Sequence, residues 1–346
     1  MAFRNPGIQL IASGRNNETR SSSAAKNAIS AHRAFVYGAS VPGWGEIYAG
    51  SRLQGIMKAA AVIFLGIWFT RVLVDTVGGI VGRVFDSLNG LTTFVMPDLP
   101  LISLAISFFG IYYIWLWAMI SSVDAAVEYR RKNADPPQAS IAWAFAMSWL
   151  CPGSGHIYAG SRRFGYILFA TYLMGILLIV PVYVDLAKNI SELAQNGKLS
   201  ANNPYALINI VHGLMVKVDF SFGKLFQACV RYFAIAGTIC ALRQGLLETD
   251  TRWSKSSIAY GFALFGLGWF CPGAGQLLQK RHKSGYIVLA GYIGSKLFFG
   301  FLLGNDVIAT QRAEILDWIS VLIQWSAMIE APFQMMKGGR PKRLSS

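Results

Sequence analysis

Three related stretches decide the fold of this chain: VPGWGEIYAGSR at residues 41–52, CPGSGHIYAGSR at residues 151–162 and CPGAGQLLQKRH at residues 271–282. Each stretch ends an apolar run, contains Pro-Gly-x-Gly, and precedes an apolar segment long enough to cross a bilayer. The copies begin about 110 and 120 residues apart, a period that is typical of a membrane module and not of a soluble solenoid. The sequence therefore predicts one structural unit that is present three times.

The composition indicates a polytopic membrane protein. Of the 346 residues, 54% are hydrophobic and only 14% are charged, whereas about a quarter of the residues in soluble domains are charged. The net charge of +14 comes from Lys and Arg in short loops beside apolar segments, the pattern that encodes orientation in a bilayer. We therefore expect no nucleic-acid partner. The N-terminus lacks the features of a cleaved signal, so the first spanning helix is expected to direct insertion.

Six segments have the length and apolarity of transmembrane helices. They cover residues 55–77, 101–123, 164–184, 225–246, 285–303 and 315–333. Three shorter segments, at residues 31–41, 140–151 and 257–271, precede the motifs and fall below the ~20 residues needed to cross the hydrocarbon core. The predicted fold class is an all-α polytopic membrane protein with three parallel repeats, each of one short re-entrant or interfacial helix and two transmembrane helices.

The distribution of basic residues predicts the topology. If the short helices crossed the bilayer, successive repeats would be inverted and the basic clusters would lie on both sides. If they enter and leave by one face, nearly all basic loops and both termini lie in the cytoplasm, and the positive-inside bias favours this topology. The expected location of the protein is the inner membrane of the cell. The predicted organisation is a basic Ser-rich tail at 1–25, repeats at 26–133, 134–255 and 256–336, and a basic tail at 337–346.

The motif is interpreted as a helix stop with a tight reversal, because proline lacks a backbone donor and glycine permits positive φ. The tyrosine at the sixth position after the proline is expected at the membrane interface. The motif residues are Pro42, Gly43, Gly45, Tyr48 and Gly50 in the first copy, Pro152, Gly153, Gly155, Tyr158 and Gly160 in the second, and Pro272, Gly273 and Gly275 in the third.

The spacing PGxGxxYxGxxxxG resembles the helix-loop-helix hairpin of the TM-two-domain family and related prokaryotic membrane proteins. The resemblance covers the hairpin in each of the three copies. The third copy departs from the pattern, with Leu278 in place of the tyrosine and Lys280 in place of a glycine, so its loop is expected to differ in shape. The resemblance implies a membrane hairpin and no particular activity.

The fourth position after the proline holds Glu46, His156 and Gln276, three polar residues of different chemistry. We interpret each as a cap of the motif turn or as a group that meets water at the interface. A proton-handling role for His156 is the alternative. The cysteines that begin the second and third motifs are replaced by Val41 in the first, which favours a packing role over a disulfide or metal site.

Basic side chains follow each motif turn. A glycine turn beside them can form a small anion-binding nest, so the phosphate of an anionic lipid is the candidate ligand. The alternative is that these charges only orient the protein in the membrane. The candidate residues are Arg52, Arg162, Arg163, Lys280 and Arg281.

Ionisable residues within apolar segments mark either structural pairs or a conduction path. Arg71 and Asp75 lie four residues apart on one helical face and are placed to pair. The bases Arg231 and Lys296 and the acids Asp317 and Glu330 have no partner on their own helices. We predict that at least one of these bases lies within ion-pair reach of one of these acids and links the second repeat to the third.

The sequence contains no recognisable catalytic, haem or metal-binding pattern, which predicts a protein without enzymatic activity or cofactors. The favoured function is a structural or assembly protein, with three hairpin modules around a pseudo-threefold axis, that serves as scaffold or accessory subunit of a larger membrane complex. Its expected partners are membrane lipids and other membrane protein subunits. The alternatives are a transporter or channel with a polar path between repeats, and a protein that binds or handles anionic lipid.

Overall fold

The computed structural model of the chain describes residues 29–90, 100–133, 140–195, 212–245 except 214 and 217, 257–304 and 310–337. Within these ranges all regular secondary structure is helical. The predicted N-terminal tail at 1–25 lies outside the described residues, as does the C-terminal tail at 337–346 apart from its first residue.

The described helices fall into three sets with the same order of elements. Each set has a short helix, a five-residue helix that begins in the motif, and two long helices. The first set comprises α1 (Ala31–Ser40), α2 (Trp44–Tyr48), α3 (Arg52–Leu88) and α4 (Leu101–Lys132). The second comprises α5 (Ile141–Leu150), α6 (Ser154–Tyr158), α7 (Arg162–Gln195) and α8 (Phe222–Gly245). The third comprises α9 (Ser257–Phe270), α10 (Ala274–Leu278), α11 (His282–Gly304) and α12 (Thr310–Lys337).

Packing within each set follows one scheme. The short helix packs along the second long helix, as α1 does on α4, α5 on α8 and α9 on α12. The five-residue helix packs against the short helix before it and the long helix after it. The two long helices of each set also pack against each other. The motif therefore sits at the point where the short helix meets both long helices.

Contacts between sets also recur. Helix α4 contacts α6 and α7 of the second set, and α8 contacts α10 and α11 of the third. Among the described residues, no helix contact of similar extent joins the third set to the first. The expected arrangement around a pseudo-threefold axis is therefore wrong for the described part of the chain. The sets lie in a row, because α4 packs against the second motif and the long helix after it, and α8 packs in the same way against the third.

Five of the described helices are long and apolar enough to cross a membrane. They span Arg52–Arg83, Leu101–Lys132, Arg162–Leu186, Phe222–Leu242 and His282–Leu303. The expected sixth span, at residues 315–333, lies within α12, which is long enough but does not belong to this group. Its apolar sequence is interrupted by Asp317, Gln324 and Glu330, and these residues lower its hydropathy.

The core lies at the two junctions between sets. At the first junction the buried side chains include Leu116, Met147 and Tyr172, and at the second they include Ile235 and Leu264. The motif cysteines are buried in these cores and form no disulfide, in agreement with the predicted packing role. Tight packing of the junctions holds the motif turns in place.

Candidate functional site

The first glycine of each motif makes the turn. Gly43, Gly153 and Gly273 have φ of 98°, 99° and 88°, a left-handed conformation that side chains disfavour. A Cβ atom at each position would also collide with the carbonyl oxygen of the glycine that opens the next long helix, which is Gly55 in the first set and Gly165 in the second. The interpretation of the motif as a tight reversal with glycine at positive φ is confirmed.

The second glycine of each motif brings three helices together. A Cβ atom at Gly155 would clash with the carbonyl oxygen of Ala144 on α5 and come within 3.1 Å of Thr238 on α8. The same close approach joins Gly45 to Ser122 on α4 and Gly275 to Ala331 on α12. The second long helix of each set therefore presents a small side chain at the point where the motif touches it, a feature that the sequence analysis did not identify.

The loop after the five-residue helix keeps its shape in all three sets. Gly50 and Gly160 have φ of 92° and 88°, and Lys280 at the equivalent position has φ of 67°. The expectation that the third loop differs in shape is wrong. Lys280 accepts the left-handed conformation because the backbone bond from its N–H to the Leu277 carbonyl, at 3.1 Å, fixes the turn.

The sixth motif position is a packing position in all three sets. Tyr158 and Leu278 are buried, and Tyr48 is partly buried. The hydroxyl of Tyr48 accepts a hydrogen bond of 3.1 Å from the backbone N–H of Ser30, where α1 begins. The ring of Tyr48 therefore turns back to cap the short helix, and the location of this motif position at the membrane interface stays a prediction.

The polar residues at the fourth motif position point inward. Glu46, His156 and Gln276 are 0%, 2% and 1% exposed, and none caps its five-residue helix through its side chain. The interpretation as caps or water-contacting groups is therefore wrong. The left-handed glycine before each five-residue helix turns this position toward the second long helix of the set.

What each residue meets there differs from set to set. The Oε1 atom of Glu46 lies 2.6 Å from Nζ of Lys58 and accepts a bond of 2.5 Å from the hydroxyl of Ser121. The amide Nε2 of Gln276 donates to the Ala327 carbonyl at 2.9 Å and to Glu330 at 3.0 Å. The fourth position of the first set thus forms a buried ion pair with Lys58. In the third set the amide of Gln276 is hydrogen-bonded to the carboxylate of Glu330.

The second set has no such polar partner. The ring of His156 packs edge-on against Phe164, at 4.9 Å between ring centroids, and faces Gly237 on α8. Neither ring nitrogen makes a well-formed side-chain hydrogen bond among the described residues. Burial lowers the pKa of His156 to about 4, and the nearby carbonyl of Ala234 opposes the shift only in part. The ring is therefore neutral at physiological pH.

The candidate lipid-phosphate residues do not gather in one place. Two of them are engaged with carboxylates, since Arg162 lies 2.7 Å from Asp124 and Arg281 lies 2.5 Å from Glu330. Asp124 also accepts a bond of 2.8 Å from the hydroxyl of Tyr166. The remaining three, Arg52, Arg163 and Lys280, are exposed on separate loops or helix starts.

Two of the candidate intramembrane charges pair within one set. Lys296 lies 2.6 Å from Asp317, and both residues belong to the third set. The prediction that one of the two bases reaches one of the two acids is confirmed, but the predicted link between the second and third repeats is wrong. Because α11 and α12 form an antiparallel pair, residues at similar distances from the connection lie side by side.

Arg71 and Asp75 do not form the expected pair, and no ion pair joins them in the described structure. Both side chains are exposed on α3. Helical side chains lean toward the N-terminus, so an arginine that precedes an aspartate by four residues points away from it.

Lys58, Ser121 and Asp124 are the partners that the sequence analysis missed. Lys58 could have been found, because a lysine one turn into an apolar helix requires a counter-charge. The described residues contain no group of three or more His, Cys, Asp or Glu side chains that could hold a metal ion.

Comparison with known proteins shows a similarity in the third set. A family model described as a family of unknown function, DUF6677, matches residues 263–343. The match includes most of α9, the third motif and both long helices that follow it. No curated protein and no solved structure matches the chain.

Proposed function

We propose that this chain is an integral membrane structural or assembly protein, a scaffold or accessory subunit of a larger membrane complex without enzymatic activity of its own. It is built from three parallel repeats in the inner membrane, with both termini in the cytoplasm. The single observation that carries the proposal is the exposure of α3. No residue in the most apolar window of its span is buried within the chain.

Helix α3 has few partners of its own. Among the described helices its main packing partners are α2 and α4, and large apolar side chains such as Ile63, Phe64 and Val74 are exposed along it. Gly78 and Gly82 follow the Gly-xxx-Gly spacing, and a Cβ atom at either would meet nothing within 4 Å. This spacing lets a second transmembrane helix approach closely. These features favour a helix of another membrane protein subunit as the partner.

The three parallel repeats are supported by the recurrence of the turn. The same left-handed glycine, the same close contact with the next long helix and the same packing of short on long helix occur in every set. An inverted repeat would place basic loops on both sides of the membrane, against the bias that governs topology.

Transport is the second candidate, and one cavity favours it. A space of about 580 Å³ lies between α8 and the long helices of the third set, with Lys296, Asp317 and Asp219 among its lining residues. If the Lys296 and Asp317 pair is structural, the double variant Lys296→Met with Asp317→Leu restores an assembly that each single variant weakens. If the pair conducts, the double variant assembles and loses activity.

The experiment that tests the scaffold is purification of the intact chain in mild detergent. We expect a stoichiometric membrane partner that is lost from Gly82→Leu and retained by Gly66→Leu. Gly66 is a matched control, because it lies on the same helix, is equally open and points to a different face. A wild-type chain that purifies alone as a monomer would contradict the scaffold.

A further inference from the structure

A cavity of about 670 Å³ lies between the first and second sets, bordered by α3, α4, α7 and α8. Its walls are mainly apolar and aromatic, with Phe69, Leu104, Phe108, Ile176 and Ile179 among the lining residues. The volume falls within the range of about 300–1,000 Å³ that is usual for sites of small organic ligands. The walls alone would suit an acyl chain.

One end of this cavity carries a positive charge. The Arg231 guanidinium on α8 donates a hydrogen bond to the hydroxyl of Tyr172 and lies 5.4 Å from the centre of its ring. The hydroxyl of Tyr112 lies 3.5 Å from that of Tyr172. The Nε atom of Arg231 is buried and has no hydrogen-bond partner in the described structure.

No carboxylate neutralises this arginine among the described residues. The lining contains Lys224 and Gln227 as further polar side chains, and no Asp or Glu. Arg231 takes part in none of the ion pairs that the described part of the chain forms. A phenol hydroxyl and a ring face compensate a buried guanidinium only in part. The site therefore favours an anion.

The corresponding cavity between the second and third sets shows the opposite arrangement. There Lys296 has Asp317 at 2.6 Å, and Lys224 has Asp219 at 3.9 Å. The chain itself supplies the counter-charge at the second cavity and leaves it open at the first. This difference in charge between the two cavities favours an anionic ligand in the first.

We propose that the cavity between the first and second sets binds an anionic single-chain amphiphile, with its carboxylate or phosphate on Arg231 and its alkyl chain along the aromatic walls. A guanidinium offers two parallel N–H donors that match either oxyanion. Binding of this ligand requires no partner subunit. A failure of the scaffold proposal would therefore not affect this one, and a failure of ligand binding would not affect the scaffold.

The test uses the full chain in a neutral detergent and radiolabelled oleate retained by the protein on gel filtration. Unlabelled oleate, octadecyl phosphate and oleyl alcohol compete with it. We expect oleyl alcohol, which has a similar chain and no charge, to compete about tenfold less well or worse than oleate. A stronger effect of octadecyl phosphate than of oleate would assign a lipid phosphate, and the reverse a free fatty acid.

Arg231→Gln is expected to weaken oleate binding about tenfold or more. Arg131→Gln removes an exposed arginine outside the cavity and is expected to leave oleate binding unchanged. Equal competition by oleate and oleyl alcohol would overturn the proposal, as would a folded Arg231→Gln that binds oleate like wild type. If Arg231→Gln does not fold, the comparison of oleate with oleyl alcohol on the wild-type chain decides alone.

Discussion

The motif turns of the first and second sets have the same backbone and different chemistry. Gly43 and Gly153 have φ of 98° and 99°, and the five-residue helices after them occupy equivalent places between short and long helices. Inside the first turn, buried Glu46 pairs with Lys58. Inside the second turn, buried His156 packs against Phe164 without a charged partner.

This difference shows which parts of the motif are fixed and which are free to vary. The glycines are fixed because backbone atoms of neighbouring helices occupy the space that a side chain would need. The fourth position varies because it has only to match the residue that faces it on the second long helix, which is Ser121 in the first set and Gly237 in the second. The buried polar residue therefore has different surroundings in each set.

The largest effect is expected from Gly153→Val. The variant would force a β-branched residue into a left-handed conformation, and its side chain would collide with the carbonyl oxygen of Gly165. We expect the free energy of unfolding to fall by a value on the order of 4 kcal/mol. Unfolding in mixed micelles of increasing SDS content measures the loss. Gly160→Ala is the control, because Gly160 has φ of 88° but open space around it, so it should cost only about 1 kcal/mol. Equal costs would show that helix contact at Gly153 is unimportant.

The next effect is expected from Lys58→Met. The variant leaves the buried carboxylate of Glu46 without its cation, which costs about 3 kcal/mol when the partner of a buried pair is removed. The double variant Lys58→Met with Glu46→Leu should recover most of that loss, as measured by thermal unfolding in detergent. If the double variant is no more stable than Lys58→Met, the ion pair does not explain the first turn.

The smallest effect in this comparison is a pH dependence that belongs to the second turn. Burial lowers the pKa of His156 from 6.5 to about 4. Between these two pH values His156 is therefore protonated in the unfolded chain and neutral in the folded chain. Stability should therefore fall by about 2 kcal/mol between pH 8 and pH 5 through this residue. Replacing His156 by Met should remove that part of the pH dependence. A wild-type pH profile that is unchanged in His156→Met would contradict the neutral, buried ring.

The features that could be predicted from the sequence are local ones. A Pro-Gly pair after an apolar run implies a left-handed turn whatever surrounds it, and Gly153 bears this out. The sequence also allowed a more specific prediction, namely that Lys296 pairs with Asp317. Lys296 precedes the end of α11 by about as many residues as Asp317 follows the start of α12, so an antiparallel pair of helices brings them level.

The features that could not be predicted depend on which elements meet. Tyr158 is buried because it lies on the side of the turn that packs against α5. The sequence of the motif does not specify which side of the turn packs there. The inward direction of His156 likewise depends on α8 passing beside the turn, more than sixty residues later in the chain. The row of sets, in place of a ring, follows from contacts between helices distant in sequence.

Three copies of one module are proposed to enter and leave the membrane by the same face, and thiol accessibility in spheroplasts tests this proposal directly. Single cysteines are placed at Ser51, Ser161, Ser284 and Asn89 in a background whose native cysteines are alanine. We expect an impermeant thiol reagent to label the cysteine at Asn89, which is exposed after α3, and to reach the other three only after lysis. Labelling at Ser161 without labelling at Ser51 in intact spheroplasts would show inverted repeats and contradict the account.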